Sequence, residues 1–229
     1  MSQHSSSSEH GRWPFAGESK GTFNLLNKRA TISNQHGRLH EADSDDYRPL
    51  RDLNAQVAVA NITSGSMMVP FYNSKATKIA IVTNGRGYFE MACPHLASQQ
   101  QERGEEQRGE REEEQGRYKK VRSQVSENTV FVVPPGHPVA IVASREQNLE
   151  VVCFEVNAEG NRRTFVAGRD NIVSKMEREA KELAFGVPSK LVDEVFGGRQ
   201  VEGFVRGPQS SQREEERRPL ESILDFVGF

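Results

Sequence analysis

A thiol and an imidazole two residues apart, Cys93 and His95, are the side chains of this sequence best suited to bind a transition metal. They lie in a strand-like run, and residues two apart in a β-strand point to the same face of the sheet. A second imidazole, His137, follows the turn at residues 134–136, Pro-Pro-Gly. One thiolate and two imidazoles suit copper, which accepts a trigonal set with a weak fourth ligand, or zinc, which prefers a full tetrahedron. The spacing therefore predicts a copper or zinc site.

Two other interpretations of the same residues remain open. The chain has two cysteines, so Cys93 could form a disulfide bond with Cys153. Alternatively, Cys93 is a buried thiol of the core and His95 a solvated surface side chain. Spacing alone does not decide between these alternatives and a metal site.

The composition limits the class of protein. A chain of 229 residues can bury a real core as one large domain, or as one domain with a smaller appendage. Lys and Arg number 30 against 32 for Asp and Glu, a formal charge of -2, so no long-range field favours nucleic acid or anionic lipid. No stretch approaches the roughly 20 apolar residues that span a bilayer. The first residues lack the pattern of a secretory signal, so we expect a cytosolic protein or a processed piece of a longer one.

The order of segments predicts a mainly β domain between two less regular ends. Residues 1–20 are polar and lack periodicity, and we expect a flexible arm or linker. Residues 21–165 contain short apolar runs separated by turn residues, which is typical of an antiparallel barrel or jelly roll. The predicted strands are residues 23–26, 30–33, 57–62, 66–72, 78–83, 87–93, 117–125, 129–133, 139–144 and 149–156. Residues 98–117 contain only polar, charged and glycine residues, and we expect a disordered loop there.

The apolar residues of these runs predict the core. We expect the following side chains inside the barrel: Ile79, Ile81, Phe89, Phe131, Val133, Ile141, Val152 and Phe154. After residue 165 the apolar period changes from two to about 3.6. Ile172, Met176 and Leu183 predict one helix that ends near Gly186, and a second helix begins at the possible cap Ser189. Residues 166–229 should therefore form a helical arm, whose apolar faces pack on this barrel or on a neighbouring subunit.

A longer set of motifs resembles the carboxy-terminal cupin half of the vicilin-like (7S) seed storage globulins. The motifs are Phe23-Asn24-Leu25-Leu26, Asn61-Ile62, the run at residues 65–73, Gly85-Arg86-Gly87-Tyr88, the run at residues 133–138, the helical stretch near residues 170–196, and Ile223-Leu224-Asp225-Phe226. The resemblance covers the chain from about residue 21 onward. It implies a cupin jelly-roll barrel followed by a carboxy-terminal helical arm.

The resemblance also implies a function and partners. Proteins of the family that this chain resembles have two cupin barrels in one precursor. Each barrel is followed by a helical arm that docks on the next subunit of a trimer. We therefore expect a nutrient reservoir in the protein storage vacuole of a seed. The expected partners are the amino-terminal cupin barrel of the same precursor and, through it, a homotrimer of the two-barrel unit. No nucleic-acid or membrane partner is expected.

The same resemblance argues against catalysis in the barrel. Catalytic cupins carry a set of three histidines and a carboxylate that holds iron or manganese. At the matching positions this chain has Phe71-Tyr72-Asn73, then Ala76, Thr77 and Lys78, and the position of the downstream histidine falls near Val139. We therefore expect no enzyme.

Two further possibilities follow from the resemblance. The resemblance implies a possible copper site. Some vicilin-like globulins bind copper through a Cys-x-His pair, a histidine after the Pro-Pro-Gly turn, and a tyrosine from the other barrel. Cys93, His95 and His137 match the first three ligands, which places copper ahead of zinc and suggests weak superoxide-dismutase-like or copper-buffering activity. Alternatively, a barrel without its metal can bind a small carboxylate or phenolic ligand through Phe71, Tyr72 and Asn73.

Overall fold

Residues 21–93, 119–198 and 202–208 are described by the computed structural model of this chain. Within them, short strands form two antiparallel sheets. The strands are β1 (Ile32–Asn34), β2 (Gly37–Ala42), β3 (Ala55–Ile62), β4 (Ser66–Asn73), β5 (Thr77–Asn84), β6 (Arg86–Cys93), β7 (Lys119–Ser126), β8 (Val130–Val133), β9 (Val139–Ala143), β10 (Leu149–Val156), β11 (Arg163–Phe165) and β12 (Phe204–Arg206). Sheet A has the order β1-β2-β3-β10-β5-β8. Sheet B has the order β11-β4-β9-β6-β7, with β12 paired to β4.

The core lies between the two sheets, as the predicted jelly roll requires. Each strand contributes alternate side chains to it, because successive residues of a strand point to opposite faces. The rings of Phe89 in sheet B and Phe131 in sheet A stack across this space with their centroids 4.5 Å apart. A single cluster of buried side chains joins both sheets, including Leu39, Ala58, Ile62, Met68, Phe71, Val82, Met91, Val139, Ile141, Leu149 and Val151. The mainly β prediction is confirmed.

The predicted core is right for some strands and wrong for two. Phe89, Phe131, Val133 and Ile141 are buried as expected. On β5 and β10, however, the predicted face points outward, and the predicted residue Phe154 is 41% exposed. A shift of one residue moves every side chain of a strand to the other face. The residues that were predicted to be in the core but point outward are Ile79, Ile81, Val152 and Phe154.

The amino-terminal end of the barrel also differs from the prediction. Residues 23–26 were expected to be a strand, but the chain forms a 3-10 turn, Leu25–Asn27. The turn is favoured because the side-chain oxygen of Asn24 accepts a hydrogen bond from the amide of Leu26 at 3.1 Å. The next strand begins at Ile32 instead of residue 30, and β2 was not predicted at all.

The last described strand, β12, returns from the arm to the barrel and was also missed. Phe204 is fully buried there, against the backbone of β2. A Cβ atom on Gly37 would lie 2.7 Å from the Phe204 ring, so the close contact requires glycine at that position. The segment that follows the helices is therefore part of the barrel wall.

The helical arm contains two short α-helices where the sequence suggested a longer first one. Helix α1 (Pro49–Asp52) belongs to the barrel, whereas α2 (Arg178–Phe185) and α3 (Ser189–Gly197) form the arm. A 3-10 turn, Val173–Lys175, replaces the first part of the predicted helix. Gly186 ends α2 with a left-handed φ of 65°, as the sequence indicated. None of the helices that the structure describes has the length and apolar character needed to cross a membrane.

Buried polar side chains hold the arm together. Asn171 is 1% exposed, donates hydrogen bonds to the carbonyl oxygens of Gly168 and Phe196, and accepts one from the amide of Ser174. Lys181 is 6% exposed and its ammonium group donates to the carboxylate of Asp193 at 2.8 Å. These contacts connect the 3-10 turn, α2 and α3.

Much of the apolar face of the arm is exposed in the described residues. Leu183 is 86% exposed, although it belongs to the predicted apolar face. The other large apolar side chains of the arm that remain exposed are Ile172, Met176, Phe185, Leu191 and Val195. These side chains are available to a neighbouring subunit, whereas Val173 and Val192 of the arm are buried within the described residues, so the packing of the arm stays a prediction. The predicted linker at residues 1–20 and the predicted loop at residues 98–117 lie outside the described residues, as do residues 209–229 of the predicted arm.

Candidate functional site: a cysteine–histidine pair and the polar barrel interior

The structure brings two of the three predicted metal ligands to neighbouring strands. In the antiparallel pair β6–β9, Met91 lies opposite Val139, and the amide of Ala92 donates to the carbonyl oxygen of Pro138 at 3.0 Å. The paired register ends at Met91 and Val139, and Cys93 and His137 each lie two residues beyond that last pair, at the same end of β6 and β9. The third predicted ligand, His95, lies outside the described residues.

Both described ligands are buried, and burial affects their chemistry. Cys93 is 1% exposed, and desolvation raises the pKa of its thiol. A metal ion must therefore displace a proton to bind it. The Nδ1 atom of His137 lies 2.9 Å from the carbonyl oxygen of Pro135, which only accepts, so Nδ1 carries the hydrogen. This tautomer leaves the lone pair on Nε2, the arrangement that a metal-binding histidine uses.

The described residues alone do not complete a metal site. Among them, no group of three or more His, Cys, Asp or Glu side chains is arranged to hold a metal ion. Cys93 and His137 are a chemically suitable pair for a soft ion, but they supply two donors where copper needs three or more.

The disulfide interpretation is wrong. Cys93 and Cys153 are both free and buried. They belong to β6 in sheet B and β10 in sheet A, respectively. Burial raises the pKa of the Cys153 thiol as well, so both cysteines are core thiols.

The three residues predicted to bind a small ligand do not all lie on one face of β4. Phe71 and Asn73 point into the barrel, where they are 1% and 2% exposed. Tyr72 lies between them on β4 and therefore points to the opposite face. The side-chain amide of Asn73 forms no hydrogen bond of full geometry in the described residues, although it lies close enough to the Glu155 carboxylate to help lower the pKa of that group. A buried amide without full hydrogen bonding costs free energy and is the kind of group that binds a ligand or an ordered water molecule.

A network of charged side chains surrounds these two residues, and the sequence analysis missed it. Lys78 and Glu155 form an ion pair inside the barrel, where they are 4% and 1% exposed. Arg163 forms a second ion pair with Glu41, and its guanidinium lies 3.5 Å from the Glu155 carboxylate. The side-chain amide of Asn161 donates to Glu155 at 3.3 Å. A signal was present in the sequence, because Glu155 lies two and four residues after the buried Cys153 and Val151 and therefore shares their face.

The positive and negative charges of this interior ion-pair network balance one another. Burial alone would raise the pKa of Glu155, but the positive charges of Lys78 and Arg163 outweigh it, so the pKa lies below its usual range. The carboxylate of Glu41, working against desolvation, raises the pKa of Arg163. Two cations and two carboxylates share the interior, and both cations also lie near the face of the Phe71 ring, at 5.7 and 5.6 Å from its centroid.

This interior is not a site for catalytic iron or manganese. The position near which the resemblance places the downstream histidine is Val139, an apolar side chain that is 1% exposed. Lys78 supplies an ammonium group, which has three hydrogen-bond donors and no lone pair for a metal. The chemistry of the interior is therefore that of a closed ion-pair network with one unsatisfied amide.

Comparisons with known proteins agree with this geometry. The family described as Cupin matches residues 23–193. The vicilin Cor a 11.0101 of Corylus avellana is 50% identical over 202 residues, which are 88% of this chain and 42% of the relative. The crystal structure of vicilin from Corylus avellana superposes with a TM-score of 0.72 at 48% identity, covering 82% of this chain and 48% of that one. A vicilin from Solanum melongena is 38% identical with a TM-score of 0.70, covering 81% of this chain and 45% of that one.

The extent of these matches decides what they establish. The chain spans about two fifths to one half of the length of these relatives. It has their barrel fold, and its sequence follows theirs over most of its own length. The chain therefore belongs to the cupin family and is a relative, within that family, of the vicilin-type seed globulins.

Proposed function

We propose that this chain is the carboxy-terminal barrel of a two-barrel seed storage globulin, whose function is to accumulate as a reserve of amino acids. The observation that carries the proposal is the 50% identity to a vicilin over 88% of the chain. The barrel interior supports it, because Lys78, Glu155 and Arg163 occupy that space with a self-neutralising network. A storage protein needs stable packing, and no catalytic group is required of it. We therefore also propose that the protein is not an enzyme.

Two exposed apolar surfaces support the proposed partners. The first is the outer face of sheet A, where Val130 is 57% and Val132 48% exposed beside Phe154. The second is the apolar face of the arm, where Leu183 is exposed. Exposed apolar surfaces of this kind mark contacts with other protein. We assign the sheet face to the amino-terminal barrel of the same precursor and the arm to the next subunit of a homotrimer.

The storage function is tested in the source tissue. The protein should accumulate during seed maturation, in the protein storage vacuole, and should disappear during germination while its amino acids enter new protein. Quantitative mass spectrometry across both stages measures this, with a constitutive metabolic enzyme as the control. A constant amount through germination would contradict storage. Native mass spectrometry of the extracted protein should give three copies of the two-barrel unit, and a monomer would contradict the assembly.

We also propose a copper site that includes Cys93, His95 and His137. The support is the pairing of β6 with β9, which ends two residues before Cys93 and His137, together with the hydrogen bond from Nδ1 of the histidine to the Pro135 carbonyl oxygen. Copper bound there would supply one-electron redox chemistry, the basis of the weak superoxide-dismutase-like or copper-buffering activity. Zinc fits the incomplete donor set less well, because it prefers four ligands.

The chain contains its own control for the copper proposal. Cys93→Ser should remove the bound copper, measured as metal content and as the copper electron paramagnetic resonance signal. Cys153→Ser, which changes the other buried thiol, should leave both unchanged. Because the pKa of the Cys93 thiol is raised, copper affinity should increase with pH, by about tenfold per unit while the thiol is protonated. Equal copper content in the Cys93 variant would contradict the site.

A small-ligand function has one specific observation in its favour, the buried Asn73 amide without a hydrogen bond of full geometry, on the same face of β4 as Phe71, whose ring lies near Lys78 and Arg163. The Solanum melongena vicilin contains different anionic ligands in structurally similar pockets. We propose that the Asn73 amide binds a small carboxylate or phenolic compound, with Phe71 as its apolar wall. Benzoate should give saturation-transfer signals with the wild-type chain and lose them in Asn73→Leu. Tyr72→Phe, on the opposite face of β4, should keep them, and equal signals in all three proteins would contradict the site.

A further inference from the structure

A cleft of about 610 Å³ lies where the β1–β2 hairpin meets the helical arm. Its lining includes three arginines and one histidine, Arg29, Arg38, Arg169 and His40, against one carboxylate, Glu202. Such a concentration of positive charge is unexpected in a chain whose formal charge is -2. The cleft is separate from the copper ligands and from the barrel interior.

The strand register explains why Arg38 faces this cleft. In the β1–β2 pair, Ile32 lies opposite Leu39, and both side chains are buried in the core. Ser33 lies opposite Arg38, and both residues are exposed, because the next position along each strand points outward. His40 shares the outward face with Arg38, two residues away.

The other side of the cleft belongs to the arm. Arg169 follows β11, where the chain leaves the barrel, and Glu202 precedes β12, where the chain returns to it. The return is fixed, because the side-chain amide of Asn34 in β1 donates to the carbonyl oxygen of Glu202 at 3.0 Å. The cleft therefore joins the hairpin to both ends of the arm.

The charges of the cleft are not balanced by the protein that the structure describes. Within residues 21–93, 119–198 and 202–208, none of Arg29, Arg38 and Arg169 forms an ion pair. By contrast, Arg122 and Arg163 each pair with a carboxylate. All three arginines of the cleft are exposed, so solvent screens part of their mutual repulsion, and an anion between them would neutralise the rest.

We propose that this cleft binds a phosphate-type oxyanion with more than one negative charge, such as pyrophosphate or a small phosphate ester. A guanidinium group is planar and donates two parallel hydrogen bonds to a phosphate, and it remains charged at all physiological pH values. Arg29 and Arg38 from the barrel and Arg169 from the arm contact the same anion. The bound anion therefore holds the arm against the barrel. This inference is independent of the storage function.

The test is isothermal titration of the full chain with pyrophosphate at constant ionic strength. Saturable binding to one site is expected, and Arg38→Gln and Arg169→Gln should each weaken it by about tenfold or more. Arg162→Gln is the matched control, because Arg162 is an exposed arginine that does not line the cleft. Glu202→Gln removes the single negative charge of the lining and should tighten binding.

Each outcome decides the proposal. No saturable binding would overturn it, as would unchanged affinity in both Arg38→Gln and Arg169→Gln. Citrate is the carboxylate probe, and equal affinity for citrate and pyrophosphate would show a non-specific charged surface and overturn the phosphate assignment. If an arginine variant does not fold, shown by circular dichroism, Glu202→Gln still tests the site, and unchanged or weaker binding in that variant contradicts it.

A second measurement asks whether the anion joins the arm to the barrel. Pyrophosphate should slow amide hydrogen exchange in residues 166–176 of the wild-type chain. The same addition should have no effect on exchange in Arg169→Gln. Binding without any change in exchange would contradict the role assigned to Arg169.

Discussion

The two faces of strands β5 and β10 differ in an unusual way, because buried charges lie among the core side chains of the inner face and large exposed apolar side chains lie on the outer one. The inner face carries charged side chains beside small apolar ones, including Lys78, Ala80, Val82, Cys153 and Glu155. The outer face is apolar, with Ile79 and Ile81 on β5 and Val152 and Phe154 on β10. Lys78 is 4% exposed, whereas Phe154 is 41% exposed.

The difference shows that apolar character alone does not identify the inside of this barrel. The inner face tolerates charge because every carboxylate there has a cation beside it, as Glu155 has Lys78 and Arg163. The outer face is apolar without being the core, which is typical of a surface that another protein covers. The charges of the inner face are neutralised within the chain, whereas the apolar outer face would be covered by the proposed amino-terminal barrel. The two faces should therefore respond in different ways to substitution.

The largest expected effect is on the inner face. Glu155→Ala leaves Lys78 and Arg163 without one of their carboxylates in the interior, and removal of one partner of a buried ion pair costs about 3–5 kcal/mol. Equilibrium unfolding in denaturant measures the loss for the isolated chain. The control is Glu150→Ala, on the same strand but half-buried, where the lost contact is a hydrogen bond from Thr83. Its expected cost is about 1 kcal/mol or less. Equal losses in the two variants would contradict the role of the network.

The double substitution Lys78→Met with Glu155→Leu sharpens this result. It removes the pair instead of breaking it, and apolar replacements of buried pairs are often neutral or stabilising. The remaining Arg163 keeps Glu41 as its partner. The double variant should therefore be more stable than Glu155→Ala alone. A double variant as unstable as the single one would show that the stability of the interior does not depend on charge pairing.

Much of the fold could be predicted from the sequence because local signals determine it. The turn glycines Gly136 and Gly186 have positive φ, as the predicted turn and helix end required. Alternating apolar runs located β3 through β10 to within a few residues. The strands β2, β11 and β12 were missed, and for β2 and β12 the physical reason is clear. Strand β2 has a polar sequence pattern, because Arg38 and His40 lie on its outer face. Strand β12 is positioned by the packing of Phe204 against Gly37, two residues that are far apart in the sequence.

The inner face of β5 and β10 could not be predicted in the same way. Apolar side chains are tolerated on a surface that a partner covers, so either face of an alternating strand could be the inner one. The prediction that the face with Ile79 and Phe154 is the inner one is wrong here. On β10 the alternation of Val151, Cys153 and Glu155 is one local signal for the inner face, and the contact of Lys78 with Glu155, 77 residues apart, establishes that face for both strands. For the proposed copper ligands the situation is different, because a Cys-x-His pair is a local signal. The approach of Cys93 to His137 that the proposal needs depends instead on the long-range pairing of β6 with β9.

Acid should weaken the inner face by an intermediate amount. The pKa of Glu155 lies below its usual value of 4.5 in the folded chain. The carboxylate therefore contributes its full stability above that pH and loses it as the pH falls from 4.5 through the folded value. The difference in unfolding free energy between the wild type and Glu155→Gln should shrink over this range. Asp46, whose pKa Lys28 also lowers, is common to both proteins and cancels. A difference that does not vary with pH would contradict the shift.

The smallest expected effect is on the outer face, and β8 offers the sharpest comparison with the inner one. Val132 and Val133 are adjacent on this strand, and they are 48% and 3% exposed. Threonine has nearly the shape of valine and keeps its preference for strands, so each substitution mainly adds a hydroxyl group. Val133→Thr buries that hydroxyl and should cost about 1–3 kcal/mol. Val132→Thr leaves it in water and should change the unfolding free energy of the isolated chain by about 0.5 kcal/mol or less. In the two-barrel protein, however, Val132→Thr places the hydroxyl against the proposed partner barrel, so its cost should rise toward that of Val133→Thr. If Val132→Thr costs the same with and without the partner barrel, the outer face is not the surface that joins the two barrels.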